Sequence, residues 1–247
     1  MKKIVVITGA SGGIGRAVAR KFAASGAFVV LHANQNTPLA EKDLAEIQKT
    51  GGRGVVVSAD FNRPSDRERF LNLILRQNSK IDVWVNAAGV DLMSPALKAL
   101  SFEEKMRQLL EVDVIAAIEL SRRVGFCMKE QGGGTLFFFG WDGVEYGWEG
   151  ETAQLYGAAK GAISGFCRCL AESLAPEVRI RHLALGWIKT RWGQKASEEF
   201  DRRIVESSLQ RRWGNPEEVA EVVSFLADDV SNYVDGLNIR INGGKHS

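Results

Sequence analysis

Short runs rich in β-branched and aromatic residues recur along the chain: KIVVITG, AFVVLHA, RGVVVSAD, IDVWVNAAG, GTLFFFG, VRIRHLALG and LNIRING. Apolar side chains fill consecutive positions, so both faces of each strand are expected to be covered, as in a parallel sheet. Between them, GRAVARKFAAS, AEKDLAEIQKT, PSDRERFLNLILRQ and FEEKMRQLLEVDVIAAIELSRRVGFCM carry apolar residues every three or four positions. That period predicts amphipathic helices. Alternating strands and helices with right-handed crossovers give an α/β fold, a doubly wound parallel sheet of about seven strands with helices on both faces. No Pro- or Ser-rich linker and no internal repeat interrupts the pattern, so residues 1–247 are expected to form a single domain.

Composition narrows the function classes. At 247 residues with 45% hydrophobic and 25% charged, the chain can bury a substantial core and is neither disordered nor fibrous. Its 32 basic and 30 acidic residues leave +2, with no recurring Lys/Arg cluster, which argues against a nucleic-acid partner. The opening MKKIVVITGASGG has too short an apolar run for a secretory signal, and no later run approaches a membrane span. A cytoplasmic location without a membrane partner is expected. Cys127, Cys167 and Cys169 lack disulfide or metal spacing and read as buried reduced thiols; His32, His182 and His246 are scattered, so no metal site is expected.

Two stretches carry candidate chemistry. TGASGGIGRAVA places Gly9, Gly13 and Gly15 across a strand-to-helix turn, where glycine admits positive φ and close approach of a ligand. The helix amino terminus there offers unpaired N–H groups and partial positive charge to a pyrophosphate. Farther on, Tyr156 and Lys160 stand at i and i+4 on a helix and so share a face. A phenol's ordinary pKa of about 10 is too high for efficient proton exchange near neutrality, and an adjacent ammonium lowers it.

Thr8-Gly-Ala-Ser-Gly-Gly-Ile-Gly15 resembles the TGxxxGIG fingerprint of the short-chain dehydrogenase/reductase family. The resemblance continues in order from about residue 3 to 244. Asp60 with Phe61 matches the family's adenine contact, and Asn86-Ala-Ala-Gly89 its NNAG turn. Tyr156-Gly-Ala-Ala-Lys160 matches its YxxxK, and Gly186-Trp-Ile-Lys-Thr190 its nicotinamide loop. It implies a Rossmann-type oxidoreductase moving hydride between a nicotinamide cofactor and a small-molecule carbonyl or alcohol. Tyr156 would be its acid/base and Lys160 the group that tunes the tyrosine and binds ribose. The implied cofactor contacts are Gly9, Ser11, Gly13, Ile14, Gly15, Asn34, Gln35, Asp60, Phe61, Asn86, Ala87, Gly89, Tyr156, Lys160, Gly186, Ile188 and Thr190. A homo-oligomer, tetramer or dimer, follows by the same analogy. After the second strand stands His32-Ala33-Asn34-Gln35-Asn36, with no carboxylate to repel a 2′-phosphate; amide donors, with Arg16 nearby, favour NADP(H), and NAD(H) is possible. The fingerprint position that many NADPH-binding relatives fill with Arg or Lys is Gly12.

The tetrad of the family is altered here. Where most members carry a serine, strand alignment gives Trp141, and a longer loop would give Asp142. Trp141 can donate through its indole N–H; Asp142 can donate only if protonated. Asp113 stands where an asparagine kinks the long helix and serves the proton relay through its main chain, and its charge is directed towards Lys160. Leu185 replaces the proline before Gly186. The segments 144–152, with Glu145, Glu149 and Glu151, and 187–200, with Trp187, Lys189, Arg191 and Trp192, are expected to flank the substrate. An alternative reading from another class is a cofactor-binding sensor or scaffold with weak or lost catalysis, to which the absent serine points and which the retained Tyr156 and Lys160 oppose.

Overall fold

The computed structural model describes residues 2–77, 80–191, 193, 196–234 and 236–244. Strands β1 (Ile4–Thr8), β2 (Phe28–Ala33), β3 (Arg53–Ser58), β4 (Val83–Asn86), β5 (Gly134–Trp141), β6 (Val178–Leu185) and β7 (Ile239–Ile241) form one parallel sheet in the order β3-β2-β1-β4-β5-β6-β7. Each lies within one of the apolar runs. The central strands are buried on both faces, as predicted. β3 is not: as an edge strand it pairs only with β2 and leaves Val55 38% exposed.

Helices α1 (Gly13–Ala24), α2 (Thr37–Lys49) and α10 (Pro216–Leu226) pack on one face, around Val5, Ile7, Val29 and Phe137. On the other face α3 (Pro64–Gln77), α6 (Ala117–Glu130) and α8 (Glu151–Leu174) enclose Val6, Trp84, Leu136 and Phe138. Shorter helices α4 (Pro95–Lys98), α5 (Phe102–Leu109), α7 (Gly143–Tyr146) and α9 (Glu198–Ser207) lie in the connections. No helix among the described residues is long and apolar enough to cross a membrane.

Two local expectations change. The single long helix from residue 102 is broken by a π-helical turn, Leu110–Ala116, between α5 and α6. Such wide turns cluster at functional positions, and this one contains Asp113. The cysteines are not uniformly buried: Cys167 is, Cys127 is half-buried and Cys169 exposed. Two positions along α8 rotate Cys169 about 200° away from the core-facing Cys167.

The order of strands reverses between β1 and β4, which part at their carboxyl ends to form the crevice where doubly wound sheets bind ligands.

Candidate active site

A cleft of about 1210 Å³ opens at that crevice. This exceeds the roughly 300–1,000 Å³ of a pocket for one drug-sized ligand, which suits a cofactor together with a substrate. Its wall brings together Gly9, Ser11, Gly13, Ile14, Gly15, Asn86, Ala87, Gly89, Asp113, Trp141, Tyr156, Lys160, Gly186, Ile188 and Thr190.

The glycine turn is shaped by backbone contact. Gly9 has φ +64°, and a Cβ there would lie 2.4 Å from the Ala87 carbonyl oxygen; one on Gly15 would lie 2.5 Å from that of Gly9. Thr8 ties the two turns together, its Oγ1 accepting from the N–H groups of Ala87 and Ala88 at 3.1 Å. The amino end of α1 has no acidic residue in its first turn, so its partial positive charge is left for an anion.

His32 supports this turn from behind. Its Nδ1 accepts from the Gly9 N–H at 3.1 Å, which leaves the ring proton on Nε2, 3.0 Å from the Ala59 carbonyl. The ring is buried and stacks on Phe61 at 3.9 Å. Burial lowers its pKa from 6.5 to about 4, against a raising contribution from the Ala59 carbonyl. A second proton would set N–H against N–H at Gly9. Because the folded pKa is depressed, its contribution is present above pH 6.5 and is lost as pH falls towards 4, where the unfolded chain binds more protons. The loss should reach about 3 kcal/mol. We expect His32→Phe to lower stability at pH 7 by about 2 kcal/mol through the two unpaired backbone groups and to flatten the acid limb. Urea midpoints at several pH values check both; an unchanged acid limb would remove His32 from its cause.

Not every residue expected at the adenosine end reaches the cleft. Asn34 donates to Asp60 Oδ1 at 3.1 Å, Gln35 is exposed outside the cleft wall, and the Phe61 ring is taken up by His32. Asn36, Arg16 and Arg20 do line it. Buried Asp43 on α2 holds both arginines, its Oδ1 lying 2.7 Å from Arg16 Nε and 2.6 Å from Arg20 Nη2. Arg20 was missed in the sequence, although its i+4 spacing from Arg16 was a usable signal. The Asn86 side chain has a structural role, donating to Ser121 and the Phe137 carbonyl and accepting from Trp84.

At the opposite end, Tyr156 and Lys160 lie one turn apart on α8. The Tyr156 hydroxyl donates to the Val90 carbonyl at 2.6 Å. Lys160 Nζ pairs with Asp113 Oδ1 at 3.0 Å, while Asp113 Oδ2 accepts from the Val90 N–H at 2.8 Å. The charge of Asp113 therefore meets the ammonium, as its position suggested. Burial, and next the Asp113 carboxylate, raise the Tyr156 pKa above its ordinary value; the Leu92 amide opposes them. This is opposite in direction to the lowering expected from the adjacent ammonium, because Lys160 is paired with Asp113 and the ring is buried.

Trp141 and Asp142 diverge. Trp141 ends β5 opposite Leu185, lines the cleft, and its ring comes within 4.0 Å of where a Cβ on Gly157 would lie. Asp142 is buried outside the cleft, accepts from Asn242 Nδ2 at 3.1 Å and borders a cavity of about 20 Å³. Of the expected flanking residues, Trp148, Glu149, Thr152, Trp187, Lys189, Arg191 and Phe200 line the cleft. Glu145 is instead engaged by Asn238 and Arg240, and Glu151 by Lys105. Trp192 lies outside the described residues.

A doubly wound sheet with a glycine turn at its switch point and a Tyr/Lys pair across the same cleft defines a class, the nicotinamide-dependent oxidoreductases. Residues 9–246 match the family model described as enoyl-(acyl carrier protein) reductase. The chain is 30% identical to mouse (Mus musculus) dehydrogenase/reductase SDR family member 4, over 99% of this chain and 88% of that protein. It is 32% identical to meso-2,3-butanediol dehydrogenase of Serratia marcescens, over 98% and 94%. A Beutenbergia cavernae structure provisionally described as an NAD(P)-dependent gluconate 5-dehydrogenase, with NADP bound at low occupancy, superposes with a TM-score of 0.87 at 30% identity, over 98% of this chain and 96% of that one. The chain belongs to the short-chain dehydrogenase/reductase family and is an NAD(P)-dependent oxidoreductase.

Proposed function

We propose that the protein reduces a carbonyl with NADPH, with Tyr156 giving the proton to the carbonyl oxygen. The observation that carries this is the Tyr156 hydroxyl, hydrogen-bonded to the Val90 carbonyl and one helical turn from the Lys160–Asp113 pair, in the same cleft as the glycine turn. The glycine turn and the amino end of α1 suit a pyrophosphate, and Gly186, Ile188 and Thr190 suit the nicotinamide end. When bound, the cofactor supplies the hydride. Tyr156 exchanges the Val90 carbonyl for the substrate oxygen and donates its proton there. Lys160, anchored by Asp113, keeps a positive charge beside the phenolate that results. Trp141 stands at the end of β5, where strand alignment puts the family's serine, and turns the Cζ3 edge of its ring towards α8, so it shapes the cleft wall there. NADPH oxidation by the purified protein over a panel of ketones and aldehydes tests the reaction; no oxidation with any of them would count against it.

The preference for NADPH rests on Arg16 and Arg20, which replace the missing basic residue at Gly12. Charge-assisted hydrogen bonds to a phosphate are worth about 1.5–3 kcal/mol each. We therefore expect Arg16→Ala/Arg20→Ala to weaken NADPH binding by roughly a hundredfold while NADH binding is little changed. Equal losses for both cofactors, measured by fluorescence titration, would overturn the assignment.

A further inference from the structure

Beside Tyr156 the cleft wall is built of aromatic rings. Trp187, just after β6, has Trp148 at 5.4 Å, Phe200 at 5.2 Å and Trp141 at 6.4 Å, all in edge-to-face contact. All four rings line the cleft and are half-buried, while a fifth, Trp213, lies buried behind Trp187 at 6.0 Å. These rings come from β5, the α7–α8 connection, the segment after β6, and α9. Trp141 reaches α8 at Gly157, the residue after Tyr156 in the chain, where its Cζ3 lies 4.0 Å from the position of an added Cβ.

Cations already sit at the edge of this ring cluster. Arg203 already lies over Trp148 at 5.3 Å and Lys189 over Trp213 at 5.8 Å. The nearby carboxylates are committed to the same cations: Glu149 to Arg203 at 2.6 Å, Asp201 to Lys189 at 3.5 Å and to the Trp213 indole at 2.9 Å. A second cation at Trp148 would meet a ring face and a carboxylate that Arg203 already neutralises. Rings edge-to-face with one another favour a further flat ring in the same geometry.

Resting on the carbonyl-reductase reading above, we propose that the substrate is a neutral aryl ketone or its alcohol. Its ring sits among Trp141, Trp148, Trp187 and Phe200, and the carbonyl is borne on the ring or one bond from it. That last limit follows from Trp141 meeting α8 at Gly157, the chain neighbour of Tyr156.

The test compares three ketones of eight carbons: acetophenone, cyclohexyl methyl ketone and 2-octanone. Dissociation constants are measured by ligand-observed NMR with NADP⁺-saturated protein, and turnover by NADPH oxidation. Acetophenone is expected to bind about fivefold more tightly than either saturated ketone. Trp148→Leu should erase that preference and Trp148→Phe should keep it. Equal or weaker binding of acetophenone overturns the proposal, as does a preference that survives in Trp148→Leu. Selective binding of acetophenone with no turnover of any ketone supports the ring pocket and overturns the reductase reading instead.

Discussion

Tyr156→Phe is expected to lower kcat/KM for carbonyl reduction by at least about a hundredfold, the lower range for loss of a positioned general acid, with cofactor affinity unchanged. The substitution removes one oxygen and keeps the ring packed against the core. Its folding cost is limited to the bond to the Val90 carbonyl, about 1 kcal/mol. The Tyr156 hydroxyl donates to the Val90 carbonyl, a bond that a substrate oxygen entering the cleft can replace. Steady-state NADPH oxidation beside a fluorescence titration of NADPH separates the outcomes. Retained turnover would mean that Tyr156 is not the proton donor. Retained binding with no turnover in either form would favour the cofactor-binding sensor.

Much of this arrangement could be read in the chain, and the parts that could not share a cause. The strands were legible because buried parallel strands need uninterrupted apolar runs; β3 has the same composition, and only its place at the sheet edge exposes Val55. The glycine turn and the Tyr156/Lys160 pair were legible because each is fixed by local spacing. The break at Leu110–Ala116 was signalled only by the resemblance, which puts a kink at Asp113, and not by the apolar period, which runs through it; the fold adds the grip of Asp113 on Lys160 and Val90, two partners distant in sequence. The choice between Trp141 and Asp142 likewise depended on Asn242, a hundred residues away, which draws Asp142 out of the cleft. His32 looked like part of a polar turn, and its work at Gly9 becomes visible only once β1 and β2 are paired. Arg20 lay outside every motif and acquires a role only through Asp43. In each case the sequence showed the group and the fold supplied its partner.

Asp113 makes the sharpest test of how this site differs from one with the family's usual asparagine. Asp113→Asn removes a negative charge that raises the Tyr156 pKa and frees Lys160 from its ion pair. Both changes favour the phenolate, so the pKa must fall. Reduction requires the protonated phenol, and its rate declines as pH rises through that value. The alkaline limb of reduction should therefore move to lower pH, by about one unit for each 1.4 kcal/mol of charge interaction removed. Oxidation of the corresponding alcohol requires the phenolate, so its acid limb should move the same way and oxidation near pH 7 should speed up. A purely structural Asp113 would lower stability and kcat at every pH and leave both limbs in place. Profiles of kcat against pH in the two directions decide between these. A fixed alkaline limb, or one displaced upward, would mean that Asp113 does not set the proton affinity of Tyr156.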